Sequence, residues 1–226
     1  MNRRAPDTRS EETRQKLLAA GLELFAAAGL AGVTTRQLAQ KAGVNQAAIP
    51  YHFGGKEGVY QAVAEHIVNL ARPRLREIMG DIRPALAGDA GPANAARLLE
   101  AYMLALARLM LDPRLTAAAF GFLLREQFQP GAAFELLYRE LLEPAHALCG
   151  ELMAALLGDN MGMEAGILLE HAFMGQVTAF VHGRATLRRR LGSVEPDPPA
   201  VDRALRALLE TFIAGAMTHH ESGNPA

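Results

Sequence analysis

Hydrophobic residues recur every three or four positions along most of the chain, with polar residues between them, and this spacing is typical of amphipathic helices. The pattern first appears behind Ser10, a good helix N-cap that is followed by two acidic residues. Apolar and small residues then share one helix face as far as Ala28, and Gly29 supplies a stop. The sequence therefore predicts a first helix of about five turns.

Two short helices separated by a glycine are predicted next. Thr34 and Gln37 have the T-x-x-Q spacing of a capping box, which predicts a helix over TRQLAQKA. Gly43 ends that helix, because glycine adopts a positive φ without strain. Asn45 is a good N-cap for a third helix over QAAIPYHF. Two short helices joined by such a turn are typical of a helix-turn-helix, which we place at about residues 34–53.

The rest of the chain continues the helical spacing, interrupted by proline and glycine. A fourth helix is predicted from Lys56 to about residue 79, kinked or broken at Pro73, and the Gly- and Pro-rich segment 83–94 is the best candidate for a linker or loop. Ala, Leu, Glu and Arg recur in nearly every segment, and these good helix formers favour an all-α fold. Further helices are predicted over residues 92–111, 114–127, 131–157 with a kink near Pro144, 162–185 and 198–218.

Charge is distributed unevenly. Residues 1–56 carry eight Lys and Arg and four acidic residues, a net charge of +4, which leaves −5 for the remainder. A basic N-terminal part indicates a polyanionic partner. The single cysteine, Cys149, leaves no pair for a disulfide, and we expect a small core residue rather than a redox switch. No apolar run is long enough to span a membrane and no secretory signal is evident, so a cytoplasmic protein without a membrane partner is expected.

The run TTRQLAQKAGVNQAAIPYHFGGKEGVY, together with the helix before it, resembles the DNA-binding domain of the TetR family of regulators. The matching features are the Ala-x-x-x-Gly-Val turn, the Tyr51-His52-Phe53 end of the recognition helix, and Lys56 at the start of the next helix. The segment LLREQFQPGAAFELLYRELLEPAHALCGELMAALLG is similar to the C-terminal domain of CecR-type members. One departure is Pro50, which lies inside the predicted recognition helix and disturbs the bond to the Gln46 carbonyl.

The resemblance implies a three-helix DNA-binding domain over residues 1–56 and a larger helical domain over residues 57–226 for ligand binding and dimerisation. The fourth helix links them. It further implies a homodimer that binds a double-stranded DNA operator, usually as a repressor, and that a small-molecule effector releases. No cofactor or metal ion is expected, and His146, His171 and His182 are too scattered along the chain for a metal site.

The candidate DNA contacts divide by chemistry. Threonines at a helix start suit a phosphate, whereas Gln46 can bond an adenine edge and Ala47 can pack on a thymine methyl. Thr34 as a cap alone and Lys56 as a solvated charge alone remain open alternatives. The full candidate set is Thr34, Thr35, Arg36, Asn45, Gln46, Ala47, Tyr51, His52 and Lys56.

Two further sites are predicted in the C-terminal part. An apolar effector pocket is implied for a stripe of Met, Leu and Phe residues, although such a stripe is also typical of plain core. The effector is expected to be mostly apolar and uncharged or weakly charged, because no Arg or Lys cluster falls there; the basic run 184–190 is placed in an exposed loop. The pocket candidates are Met103, Leu106, Met110, Phe120, Leu123, Phe134, Leu137 and Phe173. Small and apolar residues of the last two long helices predict a dimer interface, with intrachain packing as the alternative. They are Gly175, Ala179, Leu205, Leu208 and Phe212.

Three alternatives to a repressor can be weighed against the sequence. An activator or a dual regulator has the same sequence features as a repressor. A small helical enzyme is disfavoured because no nucleophile and base occur at a diagnostic spacing and no glycine loop could hold a phosphate. An architectural or scaffold protein that responds to no effector is the third alternative.

Overall fold

The computed structural model describes residues 8–112, 114–158, 162–192, 194 and 197–222, with side chains as far as residue 215. Every regular element in this part of the chain is a helix, which confirms the predicted all-α class. The elements are α1 (Thr8–Ala28), α2 (Thr35–Ala42), α3 (Ala48–Phe53), α4 (Lys56–Gly88), α5 (Pro92–Met110), α6 (Ala117–Phe128), α7 (Phe134–Leu137), a π-helical turn (Tyr138–Leu142), α8 (Glu143–Leu157), α9 (Met163–His182), α10 (Arg184–Arg190) and α11 (Pro198–Ser222).

The helices form two compact units that do not follow the order of the chain. The N-terminal unit comprises Met1–Leu70 together with Arg114–Glu140, and the C-terminal unit comprises Ala71–Pro113 and Leu141–Ala226. Helix α4 belongs to both units. The predicted domain boundary at residue 56 coincides with the start of this shared helix, and it stays a prediction.

Helix α4 is longer than the sequence indicated. It continues through Pro73 and Pro84, so the predicted linker over residues 83–94 is wrong and only residues 89–91 separate α4 from α5. Burial of Leu75 and Ile82 beyond the first proline stabilises the extension, because each apolar side chain is taken out of water. The helix end is then closed by Asn94, whose Nδ2 donates to the Ala85 carbonyl at 3.2 Å and to the Asp89 carbonyl at 2.6 Å.

The predicted kink near Pro144 takes the form of a π-helical turn. Pro144 lies in the first turn of α8, directly after the π turn over Tyr138–Leu142. Proline has no N–H and its ring clashes with the carbonyl four residues earlier, and a π turn relieves both constraints. The basic run 184–190 also differs from prediction, since it is the short helix α10 rather than a loop.

The core of the N-terminal unit is built where α1 meets α4 and α6. Gly21 lies so close to α4 that a Cβ there would stand 2.9 Å from Val59 Cγ1. The rings of Phe25 and Tyr60 meet edge to face at 4.9 Å, and the Phe122 ring of α6 lies 4.7 Å from Tyr60. Helix α6, which lies far along the chain, is therefore part of the same core as the first helix.

The core of the C-terminal unit is formed by α5, α8, α9 and α11. Tyr102 is fully buried and its hydroxyl donates to the Ala145 carbonyl at 2.7 Å, which joins α5 to α8. Exposed ion pairs join further helices, including Arg83 with Glu151 at 3.0 Å. Two more pairs connect α5 to α11: Arg108 with Asp202, and Arg206 with Glu100.

Candidate nucleic-acid interface

Helix α2 begins with the predicted capping box. The Thr34 hydroxyl accepts the Gln37 N–H at 3.2 Å, and the Gln37 side-chain oxygen accepts the Thr34 N–H at 2.8 Å. These reciprocal bonds satisfy two backbone donors that a helix start would otherwise leave open. The predicted cap is confirmed, whereas the phosphate contact of Thr34 stays a prediction.

The turn between α2 and α3 also forms as predicted. Gly43 has φ 65° and ψ 36°, and its N–H reaches the Ala39 and Gln40 carbonyls. The Asn45 side chain accepts the Ala47 N–H at 2.9 Å, which forms an Asx turn. The predicted N-cap at Asn45 is wrong, because α3 begins at Ala48 and its N-cap position is Ala47, which makes no side-chain cap bond. The first turn there is tight, because the Gln46 carbonyl accepts from Ile49 at 3.1 Å.

This tight turn removes the conflict expected at Pro50. Helix α3 proper begins at Ala48, so Pro50 lies in its first turn, where an N–H has no helical partner. The Gln46 carbonyl, which a proline would leave without a donor, already has one in Ile49. The recognition helix is short and regular from Ala48 to Phe53, and Ile49 anchors it as a fully buried residue.

One hydrogen bond joins two of the predicted DNA contacts. Gln46 Nε2 donates to the Thr35 hydroxyl at 2.8 Å, across the turn from α2 to α3. The bond holds the predicted base-reading glutamine beside the predicted phosphate-binding threonine. It also orients the Gln46 amide, because with its N–H₂ group turned towards α2 its acceptor oxygen points elsewhere.

The remaining candidates of α2 and α3 lie mostly at the surface. Arg36, Asn45 and Ala47 are exposed, and Tyr51 is 80% exposed despite its aromatic ring. The His52 ring packs against Tyr51 with 4.8 Å between centroids and is half-buried. An exposed tyrosine beside an exposed row of polar residues is consistent with contact to a polar partner.

Lys56 has a structural role in addition to its predicted one. Its ammonium group donates to the Leu30 carbonyl at 2.9 Å and is partly buried, so it ties the start of α4 to the end of α1. The alternative that Lys56 is only a solvated charge is therefore wrong. Its contact with a DNA phosphate stays a prediction.

Part of the basic charge is compensated within the N-terminal unit. Lys41 pairs with Glu23 at 2.5 Å, and the Arg14 guanidinium lies over the Phe53 ring with 5.5 Å to its centroid. Phe53 itself is half-buried. These contacts fix the two ends of the three-helix assembly, since they tie α1 to both α2 and α3.

The same unit holds a buried polar contact that the sequence did not indicate. The Tyr60 hydroxyl donates to Glu126 Oε1 at 2.5 Å, and Gly131 N–H donates to Glu126 Oε2 at 3.2 Å. Burial, followed by the hydrogen bond and charge of Glu126, raises the pKa of Tyr60 above its ordinary value. Arg125 of the same helix donates to the Ala26 and Ala27 carbonyls at the end of α1. No local pattern identifies these pairs, since 66 positions separate Tyr60 from Glu126.

The predicted effector residues are divided between the two units. Met103, Leu106, Met110 and Phe173 belong to the C-terminal unit, and Phe120, Leu123, Phe134 and Leu137 belong to the N-terminal unit. Met103, Leu137 and Phe173 are among the most buried side chains of their units. Their participation in one pocket stays a prediction.

Predicted interface residues lie on exposed apolar stripes of α9 and α11, with one exception. Gly175 and Ala179 are exposed and share a face of α9 with Leu168 and Ala172. Leu208 is 48% exposed, and it shares a face of α11 with Ala204, Thr211 and Gly215. Phe212 is half-buried against Phe173, with 4.5 Å between ring centroids. Leu205 is fully buried without any partner chain, so its assignment to the interface is corrected to intrachain packing.

A second buried carboxylate lies in the C-terminal unit. Glu170 is 6% exposed, and both its oxygens lie 2.9 to 3.0 Å from His146 Nδ1. The His146 and His171 rings stack with 5.5 Å between centroids, so these two histidines are not scattered in space. Cys149 is buried beside Glu170, as predicted for a core thiol, and burial together with the Glu170 charge raises its pKa. Within the described part of the chain, no group of three or more His, Cys, Asp or Glu side chains is arranged so that it could hold a metal ion.

Two short helices joined at a left-handed glycine, with exposed polar residues on the first helix, in the turn and at Tyr51 of the second, define a helix-turn-helix DNA-binding protein. Residues 17–63 match the family described as bacterial regulatory proteins, tetR family, and residues 95–217 match the C-terminal domain of the HTH-type transcriptional dual regulator CecR. The chain therefore belongs to the TetR family of bacterial transcriptional regulators, with a C-terminal domain of CecR type.

Individual relatives agree with this assignment. The HTH-type transcriptional dual regulator CecR of Shigella flexneri is 32% identical over 85% of this chain and 86% of its own length. The HTH-type transcriptional regulator SrpR of Pseudomonas putida is 50% identical over 24% of this chain and 25% of its own. The structure of the TetR family regulator PfmR from Thermus thermophilus covers 88% of this chain and 95% of that chain, with a TM-score of 0.58 and 16% identity. None of the helices described here is both long and apolar enough to cross a bilayer.

Proposed function

We propose that the chain is a homodimeric, ligand-responsive repressor that binds a palindromic DNA operator and is released by a small apolar effector. The observation that carries the proposal is the exposed polar row of α2 and α3, in which the bond from Gln46 to Thr35 holds a base-reading side chain beside a phosphate-binding one. The net charge of +4 over residues 1–56 supports a polyanionic partner.

Mutations can distinguish the proposed base contact from the proposed phosphate contact. Gln46→Ala removes one base-reading amide and is expected to cost about 1 to 3 kcal/mol at one base position of each half-site. Gln40→Ala, an exposed glutamine of α2, is the matched control and should leave binding unchanged. Lys56→Ala should weaken binding to all sequences alike, and because it also loses the bond to Leu30 its unfolding must be measured in parallel.

The assay is a gel shift of the purified protein on DNA flanking its own coding region, repeated between about 50 and 200 mM salt. Counterion release should make the affinity fall steeply over this range. Affinity that does not depend on salt, or a Gln46→Ala variant that keeps full selectivity, would argue against the proposed interface.

The proposed dimer uses the exposed stripes of α9 and α11. Leu168, Ala172, Gly175 and Ala179 are spaced four, three and four residues apart, the spacing with which helices pack side by side. Leu208→Glu places a charge on the corresponding stripe of α11 and should yield monomers, whereas Arg203→Glu places one outside it and should not. Sedimentation of the unmodified protein as a monomer at micromolar concentration would remove both the dimer and the palindrome.

A dual regulator is the second candidate, favoured by one observation. The Shigella relative, which matches most of the chain, carries the name of a dual regulator. A transcription assay from the bound promoter distinguishes the two functions, because a repressor lowers transcription at every operator whereas a dual regulator raises it at some.

A further inference from the structure

The interior of the C-terminal unit contains a carboxylate whose acceptor capacity is only partly used. A carboxylate offers about four lone-pair sites. Both Glu170 oxygens share the single Nδ1 of His146, at 2.9 and 3.0 Å, and the Cys149 thiol lies beside them. Among the described residues, no Lys or Arg forms an ion pair with Glu170. A buried carboxylate bonded to an imidazole and a thiol still favours a cationic donor, because a buried charge is costly unless it is fully paired and hydrogen-bonded.

The same helix presents a second unused acceptor. Gln176 Oε1 is buried, and no donor in the described part of the chain lies within hydrogen-bond distance of it. Leaving a buried acceptor without a partner carries the desolvation penalty of that group. Such an atom is therefore a place where a ligand N–H or O–H would bind favourably.

The two acceptors flank an aromatic side chain. Glu170, Phe173 and Gln176 lie at i, i+3 and i+6 on α9, so they form one ridge along the helix. Six residues correspond to about 9 Å along the axis. Phe173 lies between the acceptors, is almost fully buried and meets the Phe212 ring at 4.5 Å. Aromatic faces attract cations as well as apolar groups, which further favours a cationic ligand.

We propose that the effector is an apolar cation whose nitrogen binds Glu170, whose body packs on Phe173, and whose far end donates a hydrogen bond to Gln176. This rests on the proposed ligand-responsive function and replaces the expectation of an uncharged effector. That expectation considered only whether the protein has Lys or Arg side chains that would bind an anionic effector. The buried charged group found here is a carboxylate of the protein, which would bind a cationic effector. His146, whose side chain is 32% exposed, lies against this carboxylate, and the ligand nitrogen binds the acceptor sites that His146 leaves open.

A matched series of small probes tests both ends of the ligand. The parent probe is 4-(3-aminopropyl)phenol, compared with 4-propylphenol, 3-phenylpropylamine and 3-(4-hydroxyphenyl)propionate by calorimetric titration into the full-length protein. Loss of the amine should weaken binding about 10- to 100-fold, and loss of the hydroxyl about 3- to 10-fold. The propionate should bind least, because it brings a second anion to Glu170.

Two variants assign these preferences to their residues. Glu170→Gln should remove the preference for the amine over 4-propylphenol, while Glu164→Gln, an exposed residue of the same helix, should keep it. Gln176→Leu should remove the preference for the hydroxyl, and should also raise the melting temperature because it deletes an unpaired buried acceptor. This second variant keeps the test decisive if Glu170→Gln fails to fold.

The outcomes separate the effector class from the regulatory function. Equal affinities for 4-(3-aminopropyl)phenol, 4-propylphenol and 3-(4-hydroxyphenyl)propionate would overturn the proposal. A preference for the amine that survives in Glu170→Gln would overturn it too. Protein that binds DNA in the gel shift but none of the probes also overturns it and leaves DNA binding intact. Protein that recognises the amine through Glu170 but binds no DNA supports the acceptor site and contradicts the proposed regulator.

Discussion

Tyr60→Phe removes the hydroxyl that donates to Glu126, the most buried carboxylate among the described residues of the N-terminal unit. Tyr60 and Glu126 are each 2% exposed, and their bond is 2.5 Å long. Without the hydroxyl, Glu126 keeps only the longer bond from Gly131 N–H at 3.2 Å. A hydrogen bond to a charged group is worth about 1.5 to 3 kcal/mol, and a buried carboxylate short of a donor retains its desolvation cost. We expect the free energy of unfolding to fall by about 2 to 3 kcal/mol.

A double-mutant cycle distinguishes this bond from general loss of packing. Tyr60→Phe, Glu126→Leu and the double variant are unfolded in urea at one fixed protein concentration, since dimerisation would otherwise shift the midpoint. Replacing both partners by apolar groups costs less than the sum of the single changes, so a coupling energy of at least about 1.5 kcal/mol is expected. A coupling below about 0.5 kcal/mol, or a Tyr60→Phe variant as stable as the original, would refute the reasoning.

Four further variants test other contacts of the N-terminal unit and of α4. Gly21→Ala should lower the free energy of unfolding in urea by about 1 to 2 kcal/mol, because the added Cβ would press on Val59 Cγ1 at 2.9 Å. Gly80→Ala is its control: the added Cβ meets nothing within 4 Å, so the better helix propensity of alanine should raise the free energy of unfolding by about 0.5 to 1 kcal/mol. Burial lowers the pKa of His66, so its contribution to stability is present above about pH 6.5 and lost as the pH falls; His66→Gln should flatten the decline of melting temperature between about pH 7.5 and 5.5. Arg125→Met keeps the aliphatic stem but leaves two α1 carbonyls without their donor, and should cost about 1 to 2 kcal/mol; an unchanged midpoint would show that water replaces the guanidinium.

Features governed by neighbouring residues were predictable from sequence. The capping box of Thr34 and Gln37, the left-handed Gly43 and the bond from Ala47 to the Asn45 side chain all depend on atoms within four positions of one another. Such local hydrogen bonds are specified by residue type and spacing, whatever the rest of the chain does. The position of the helix-turn-helix therefore follows from residue types alone, without any tertiary contact.

The length of α4 was not predictable in the same way. Pro73 and the Gly- and Pro-rich residues after it favour a break, yet the helix continues as far as Gly88. Burial of Leu75 and Ile82 outweighs the loss of one backbone bond at each proline, and burial depends on partners from distant segments. Local propensity gives no measure of that contribution.

The buried carboxylates show the same limit for the candidate sites. Glu126 and Glu170 look like ordinary surface residues of amphipathic helices in the sequence. Their partners are Tyr60 and His146, 66 and 24 positions away, and no spacing rule connects them. Only the packing of α4 with α6, and of α8 with α9, brings each donor to its acceptor.

The N-terminal unit is built from two separate segments of the chain, which affects how the protein folds during synthesis. Its core needs α6, whose Arg125 closes the end of α1 and whose Phe122 packs on Tyr60. A ribosome has translated well over half of the chain before residue 140, the last of this unit, is added. We therefore expect the core around the nascent helix-turn-helix to remain incomplete while the segment from Ala71 to Pro113 is synthesised. Nascent chains arrested before α6 has emerged should accordingly remain sensitive to protease across their first seventy or so residues.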